Sequence, residues 1–153
     1  MAGHGMDEIP AVFEVTREDG YCISDARQML DIEFIHRYLA DEAYWSAGLP
    51  RQMLERALSG SLPFGIYDGD GVQVGFARVV TDGAIFAYLR DVFVVEAHRG
   101  RGLATWLARV MQTHPALADV RSWLLATRDA HEVYRRAGFE SVPHPEWYMR
   151  IRK

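Results

Sequence analysis

The chain has 153 residues but only one cysteine, Cys22, and one lysine, Lys153. A lone cysteine allows no internal disulfide and cannot supply a zinc ribbon. A P-loop requires Gly-x-x-x-x-Gly-Lys-Ser/Thr, and a lysine at position 153 cannot complete it. No apolar run approaches the roughly 18 residues needed to span a bilayer, and the first residues lack the apolar core of a signal peptide. These absences point to a cytoplasmic, soluble domain with no membrane partner. Positive charge is not in excess either: 17 Lys and Arg against 21 Asp and Glu leave a net charge of −4. A nucleic-acid partner is therefore not expected, since phosphate neutralisation needs a basic surface. The histidines are dispersed without metal-ligand spacing, and His131-Glu132 is followed by Arg135 where a zinc protease would place its second histidine, so no metal is expected.

What remains is an ordinary globular composition, 49% hydrophobic and 25% charged, long enough for one domain with a core of its own. Charge is distributed unevenly. Residues 1–50 carry ten acids and three bases, whereas residues 51–153 carry eleven acids and fourteen bases. This polarity has two readings: one end facing a polyanion and the other a cation, or two solvated faces of opposite sign.

Residues 1–10 show no periodicity and are set aside as a flexible terminus or an expression remnant, leaving residues 11–153 as a single domain. Residues 11–16 have strand composition. Asp31 is a candidate N-cap for a helix carrying Ile32, Ile35 and Leu39, and Pro50 suits the first turn of a second helix ended by Ser59-Gly60. Phe64–Tyr67 and Val72–Val80 flank Asp68-Gly69-Asp70-Gly71, a strong hairpin signal. A long strand over 84–95 follows, then a helix from about Leu103 to Thr113 before Pro115. A short buried strand, Trp123–Ala126, precedes a short helix from Ala130 to Ala137 capped by Gly138. Trp147 to Arg152 reads as a last strand. The expected order is β-α-α-β-β-β-α-β-α-β, an α/β (α+β) sandwich around a mixed, mainly antiparallel sheet flanked by helices.

The most informative stretch is the strand Asp91-Val92-Phe93-Val94-Val95 leading through Arg99-Gly100-Arg101-Gly102-Leu103-Ala104 into a helix. Two glycines let the backbone approach a ligand, the helix start offers free N–H groups, and two arginines add charge. This is either a pyrophosphate site or a tight turn with two solvated arginines. A dinucleotide fingerprint does not fit, because Thr105 stands where a third Gly or Ala is needed and no acid ends the next strand.

In these residues the chain resembles the GNAT acyltransferase superfamily, whose motif Gln/Arg-x-x-Gly-x-Gly/Ala is matched by Arg99, Gly102 and Ala104. A second element, Ala130-x-x-Val133-Tyr134-x-x-x-Gly138-Phe139, follows at the right spacing. The resemblance covers roughly residues 11–152. It implies an acyl-CoA-dependent N-acyltransferase that moves an acetyl group from acetyl-CoA, a co-substrate, to a primary amine of a small molecule or protein, by direct attack in a ternary complex. Homodimers are common in the superfamily. An acyl-CoA-binding regulatory module without turnover, or use of a different acyl-CoA, are the alternatives.

By motif position, Gly100, Arg101, Gly102, Leu103, Ala104 and Thr105, with Arg99, would bind the pyrophosphate. Val92, Phe93 and Val94 would align the pantetheine arm across a bulge in their strand, and the Val94 N–H would polarise the thioester carbonyl. Thr127 stands where many members carry an asparagine that bonds the cofactor arm, with Ala130 beside it. Tyr134 matches the general acid for the departing thiolate; read without the motif, it is a packed tyrosine. Asp91 could serve as base through a water, bind the substrate ammonium, or only orient the loop. Tyr44, Trp45 and Phe64 are candidate walls of the acceptor pocket or plain core aromatics, and Asp41 and Glu42 could attract a cation.

Overall fold

Short polar turns between β-branched and aromatic runs build most of this molecule, and each turn closes an antiparallel pair. The computed structural model describes residues 11–153; the expectation for residues 1–10 lies outside them. Strand β1 (Glu14–Thr16) turns at Gly20, φ 92°, into β2 (Cys22–Ser24). After α1 (Ile32–Arg37) and α2 (Arg51–Ser59) come β3 (Leu62–Tyr67), β4 (Gln73–Thr81) and β5 (Phe86–Val94). Helix α3 (Leu103–Met111), strand β6 (Ser122–Leu124) and helix α4 (His131–Arg135) complete the order. The six strands form one sheet in chain order, antiparallel except for the parallel pair β5–β6. A mixed, mainly antiparallel sheet flanked by helices is the architecture expected from the sequence.

The two helical layers follow from the apolar stripes of their sequences. Asp31 caps α1 by accepting the Phe34 N–H at 3.0 Å, and α1 continues through a wide turn at Tyr38–Glu42 that buries Leu39. Ile35 and Leu39, with Leu54 and Leu58 of α2, pack on Phe76 and Phe93 at one face of the sheet. On the other face, Leu103, Leu107, Val110 and Met111 of α3 cover Ile23, Phe64, Ile66, Val79 and Leu89.

Two expectations need correction. The sequence reading has one strand before α1; the structure has two, because Tyr21 and Ile23 bury themselves beside β3, which a three-residue run is too short to signal. The last strand, Trp147–Arg152, is not formed: residues 145–147 make a single 3-10 turn, and no ladder follows. Its alternating aromatic and apolar residues have strand composition, but strand preference expresses packing against neighbours, and here Met149 and Ile151 are 97% and 88% exposed.

Leu107 is fully buried at the centre of the α3 layer. Leu107→Ala is expected to destabilise the fold by about 2–5 kcal/mol, read as a lowered denaturation midpoint at unchanged m-value.

Candidate active site

The site begins with an irregularity in β5. Phe76 of β4 faces Phe93, and Arg78 faces Arg90, so Ala77 alone opposes both Asp91 and Val92. This is a β-bulge, and its first residue, Asp91, has φ 57°, the one positive value among the described non-glycine residues. An aspartate in that region carries a steric cost, so something must hold it there. Arg78 Nε donates to Asp91 Oδ2 at 2.6 Å, and Trp45 Nε1 donates to Asp91 Oδ1 at 2.9 Å. The carboxylate side chain is 7% exposed and Arg78 14%. Asp91 turns to the face of Phe93, where Trp45 packs, although the bulge interrupts regular strand alternation at this point. Arg78 is a residue that sequence reasoning passed over; a charged residue inside the apolar run from Val74 to Val80 was the available signal.

From Leu89 onward, just ahead of the bulge, β5 and β6 part. Their pairing covers only Phe86–Tyr88 with Ser122–Leu124. The diverging strands leave a cavity of about 480 Å³, lined by Arg90–Val94 on one side, Leu125–Thr127 on the other, and Ala104, Ala130 and Tyr134 from the helices. The register also directs the backbone of Val94. The Val95 N–H donates to Val74 O at 2.9 Å, so Gly75 and Val94 are a non-hydrogen-bonded pair and Val94 turns its N–H and C=O away from β4. The carbonyl accepts from Arg99 Nε at 2.9 Å, and Arg99 Nη2 donates to the Tyr38 hydroxyl at 3.0 Å. Tyr38 in turn stacks on Phe93, ring centroids 3.8 Å apart.

At the end of β5 the glycine loop forms a cradle. Gly100 and Gly102 have φ 79° and 72°, and a Cβ built at either would meet nothing within 4 Å. Gly102 is the N-cap of α3 and has no capping side chain, so the first N–H groups of that helix have no intrahelical acceptor. Ala104 lines the cavity, Leu103 anchors in the core at 2% exposure, and Arg101 is exposed. The hydroxyl of Thr105 is committed to Val133 O at 3.0 Å, tying α3 to α4. The hydroxyl of Thr127 accepts the Ala130 N–H at 3.1 Å, so its side chain shapes the start of α4. Open space beside unpartnered N–H groups and two arginines fits a pyrophosphate.

Tyr134 stands on α4 at the far wall, edge-on to Phe139 at 6.0 Å. Burial pushes its phenol up to about 12, with a smaller contribution from nearby Tyr44. Tyr44 and Trp45 line the cavity, and the Arg128 guanidinium sits 3.8 Å from the centroid of the Tyr44 ring. Phe64 does not. It is fully buried under α3, edge-on to Phe13 and His114, because β3 alternation turns it to the opposite face of the sheet. Asp41 and Glu42 are exposed and do not line the cavity either. Among the described residues no cluster of His, Cys, Asp or Glu could hold a metal ion, and no helix is long and apolar enough to cross a membrane.

Residues 59–141, more than half of the chain, match the profile of the acetyltransferase (GNAT) domain. The chain belongs to the GNAT acetyltransferase family. It is 32% identical over 138 residues to a Gibberella zeae protein carrying a provisional acetyltransferase name, covering 78% of this chain and 77% of that one. Among solved structures it is similar to a provisionally named GNAT-family acetyltransferase from Xanthomonas campestris, at TM-score 0.81 and 42% identity over 87% of this chain and 93% of the other. A spermidine N-acetyltransferase from Vibrio cholerae, solved with CoA and spermine, shares the fold at TM-score 0.58 and 16% identity, covering 83% of this chain and 79% of that one. In this GNAT chain the bulge depends on a buried ion pair. Arg78→Met is expected to destabilise it by about 3–5 kcal/mol, measured by chemical denaturation, because Asp91 is left buried without its countercharge.

Proposed function

We propose that the protein transfers the acetyl group of acetyl-CoA to a primary amine by direct attack in a ternary complex. The observation that carries this reading is the cleft between β5 and β6, with a glycine cradle at one end, a backbone N–H turned into it and a phenol on its wall. Bound acetyl-CoA supplies an activated acyl group as a thioester. The N–H groups of Gly102 to Thr105, with Arg99 and Arg101, would hold its pyrophosphate; Val92 to Val94 would align the pantetheine arm beside Thr127 and Ala130.

In the transfer a C–N bond forms, the C–S bond breaks, the amine loses a proton and the thiolate gains one. The Val94 N–H is free of β4 and is the donor we assign to the carbonyl oxygen as charge develops there, a role worth ~3 kcal/mol where such donors have been removed from other enzymes. Tyr134 is the proton donor to sulfur. A pKa raised to about 12 keeps the phenol protonated through the whole neutral and moderately alkaline range. Asp91 has both oxygens engaged, by Arg78 and Trp45. Of the roles open to it, holding the bulge that exposes Val94 is the one this geometry supports. We assign the amine's proton to water.

Calorimetric titration of acetyl-CoA, CoA and dephospho-CoA is the first test: saturable binding supports the cofactor site, and no binding to folded protein removes it. Gly102→Val should weaken acetyl-CoA binding at least tenfold, with circular dichroism confirming a retained fold, since the new side chain fills the cradle; wild-type affinity in a folded variant would overturn the loop assignment. Tyr134→Phe should leave acetyl-CoA affinity unaltered and lower kcat by about 10²-fold or more. In the wild-type protein, thiol-release rates should show no alkaline fall attributable to this acid below about pH 11, because its pKa is shifted upward.

A further inference from the structure

Part of the cleft wall has a charge opposite to the one a simple cationic amine would favour. Arg90, Arg150 and Arg152 all line it. The last two reach it from the unpaired final residues of the chain, where Met149 and Ile151 are 97% and 88% exposed. The acids in the same wall are already matched. Asp91 is paired with Arg78 at 2.6 Å, and Asp129 lies 3.4 Å from Arg128. The ion pairs formed by arginines among the described residues involve Arg17, Arg51, Arg78, Arg128 and Arg135, so Arg90, Arg150 and Arg152 have no carboxylate partner there. Arg90 contacts an aromatic ring, its guanidinium 5.6 Å from the Tyr88 centroid.

We infer that the acceptor is an amine that also carries a carboxylate or phosphate group, received by Arg90, Arg150 and Arg152. This rests on the reading of the cleft as the site of acetyl transfer. Guanidinium forks match carboxylate and phosphate oxygens in paired hydrogen bonds. Single exposed ion pairs contribute little, but three like charges converging on a concave wall focus a potential that attracts an anion and repels a polyamine. The cofactor's pyrophosphate does not explain them. Its cradle begins beyond Val94, and Arg90 lies four positions earlier in β5, on the other side of the bulge. Tyr88, Tyr44 and Trp45 supply ring faces beside the arginines, which suits an acceptor with an apolar or aromatic body.

The test uses CoA-saturated protein and matched probes: tyrosine against tyramine for the carboxylate, and phosphoethanolamine against ethanolamine for the phosphate, with spermidine as the cationic comparison. Binding is followed by the side-chain Nε–H signals of arginine in nuclear magnetic resonance, and turnover by thiol release from acetyl-CoA. At least one anionic member should bind tenfold or more tightly than its partner and shift the Arg90 signal, with the pair that responds telling carboxylate from phosphate. Arg90→Gln, and Arg150→Gln with Arg152→Gln, should each remove that preference, raising KM for the anionic acceptor about tenfold with a smaller effect on kcat. If the anionic probes bind no better than their partners, or none binds while CoA does, the inference fails and the transfer reading stands. Failure of CoA itself to bind would take down both.

Discussion

A single extra residue in β5 sets the geometry on which the cleft depends. Where two strands of a regular sheet would remain hydrogen-bonded along their length, the bulge at Asp91 and Val92 bends β5 and adds twist. Its pairing with β6 is confined to three residues, and the backbone beyond is left unpaired on that side. The cost is an aspartate in a left-handed conformation, and the compensation is local. Arg78 and Trp45 hold the two carboxylate oxygens from β4 and from the segment before α2. The same contact thereby joins the helical layer on that face to the strand that carries the site.

Around this point the molecule separates its tasks by direction. Val94 and the glycine loop present backbone, where a side chain would obstruct a ligand. Side chains enter from elsewhere: Arg90 from earlier in β5, Tyr134 from α4, Tyr44 and Trp45 from the α1–α2 connection, and arginines from the last residues of the chain. Arg99 connects the two groups, bonding the Val94 carbonyl on one side and the Tyr38 hydroxyl on the other. Tyr21 contributes from further away, its hydroxyl 2.7 Å from His98 Nδ1, which ties the approach to the loop onto β2.

Electrostatics follows the same separation, though not along the chain. The acidic first third suggests a surface that would attract an amine, yet Asp41 and Glu42 point to solvent and the cleft's own aspartates are balanced by arginines. Net charge counts residues irrespective of where they face, so a region with an excess of acids can still border a cleft dominated by guanidinium groups.

By itself the sequence determined the helices, the hairpin and the glycine loop, because these depend on spacing between near neighbours: the apolar stripes of α1 to α3, the Asp68–Gly71 turn, and two glycines before a helix start. Tertiary structure alone decided the rest. The second strand of the N-terminal hairpin exists because β3 offers Ile23 a place, and Trp147 to Arg152 stay unpaired because no strand edge receives them. Phe64 entered the core for the same kind of reason: which face of a sheet is covered by α3 is a long-range fact. The partners of Asp91, and the convergence of Arg90 with residues some sixty positions away, depend on side chains brought together by folding. Local periodicity carries no record of such contacts.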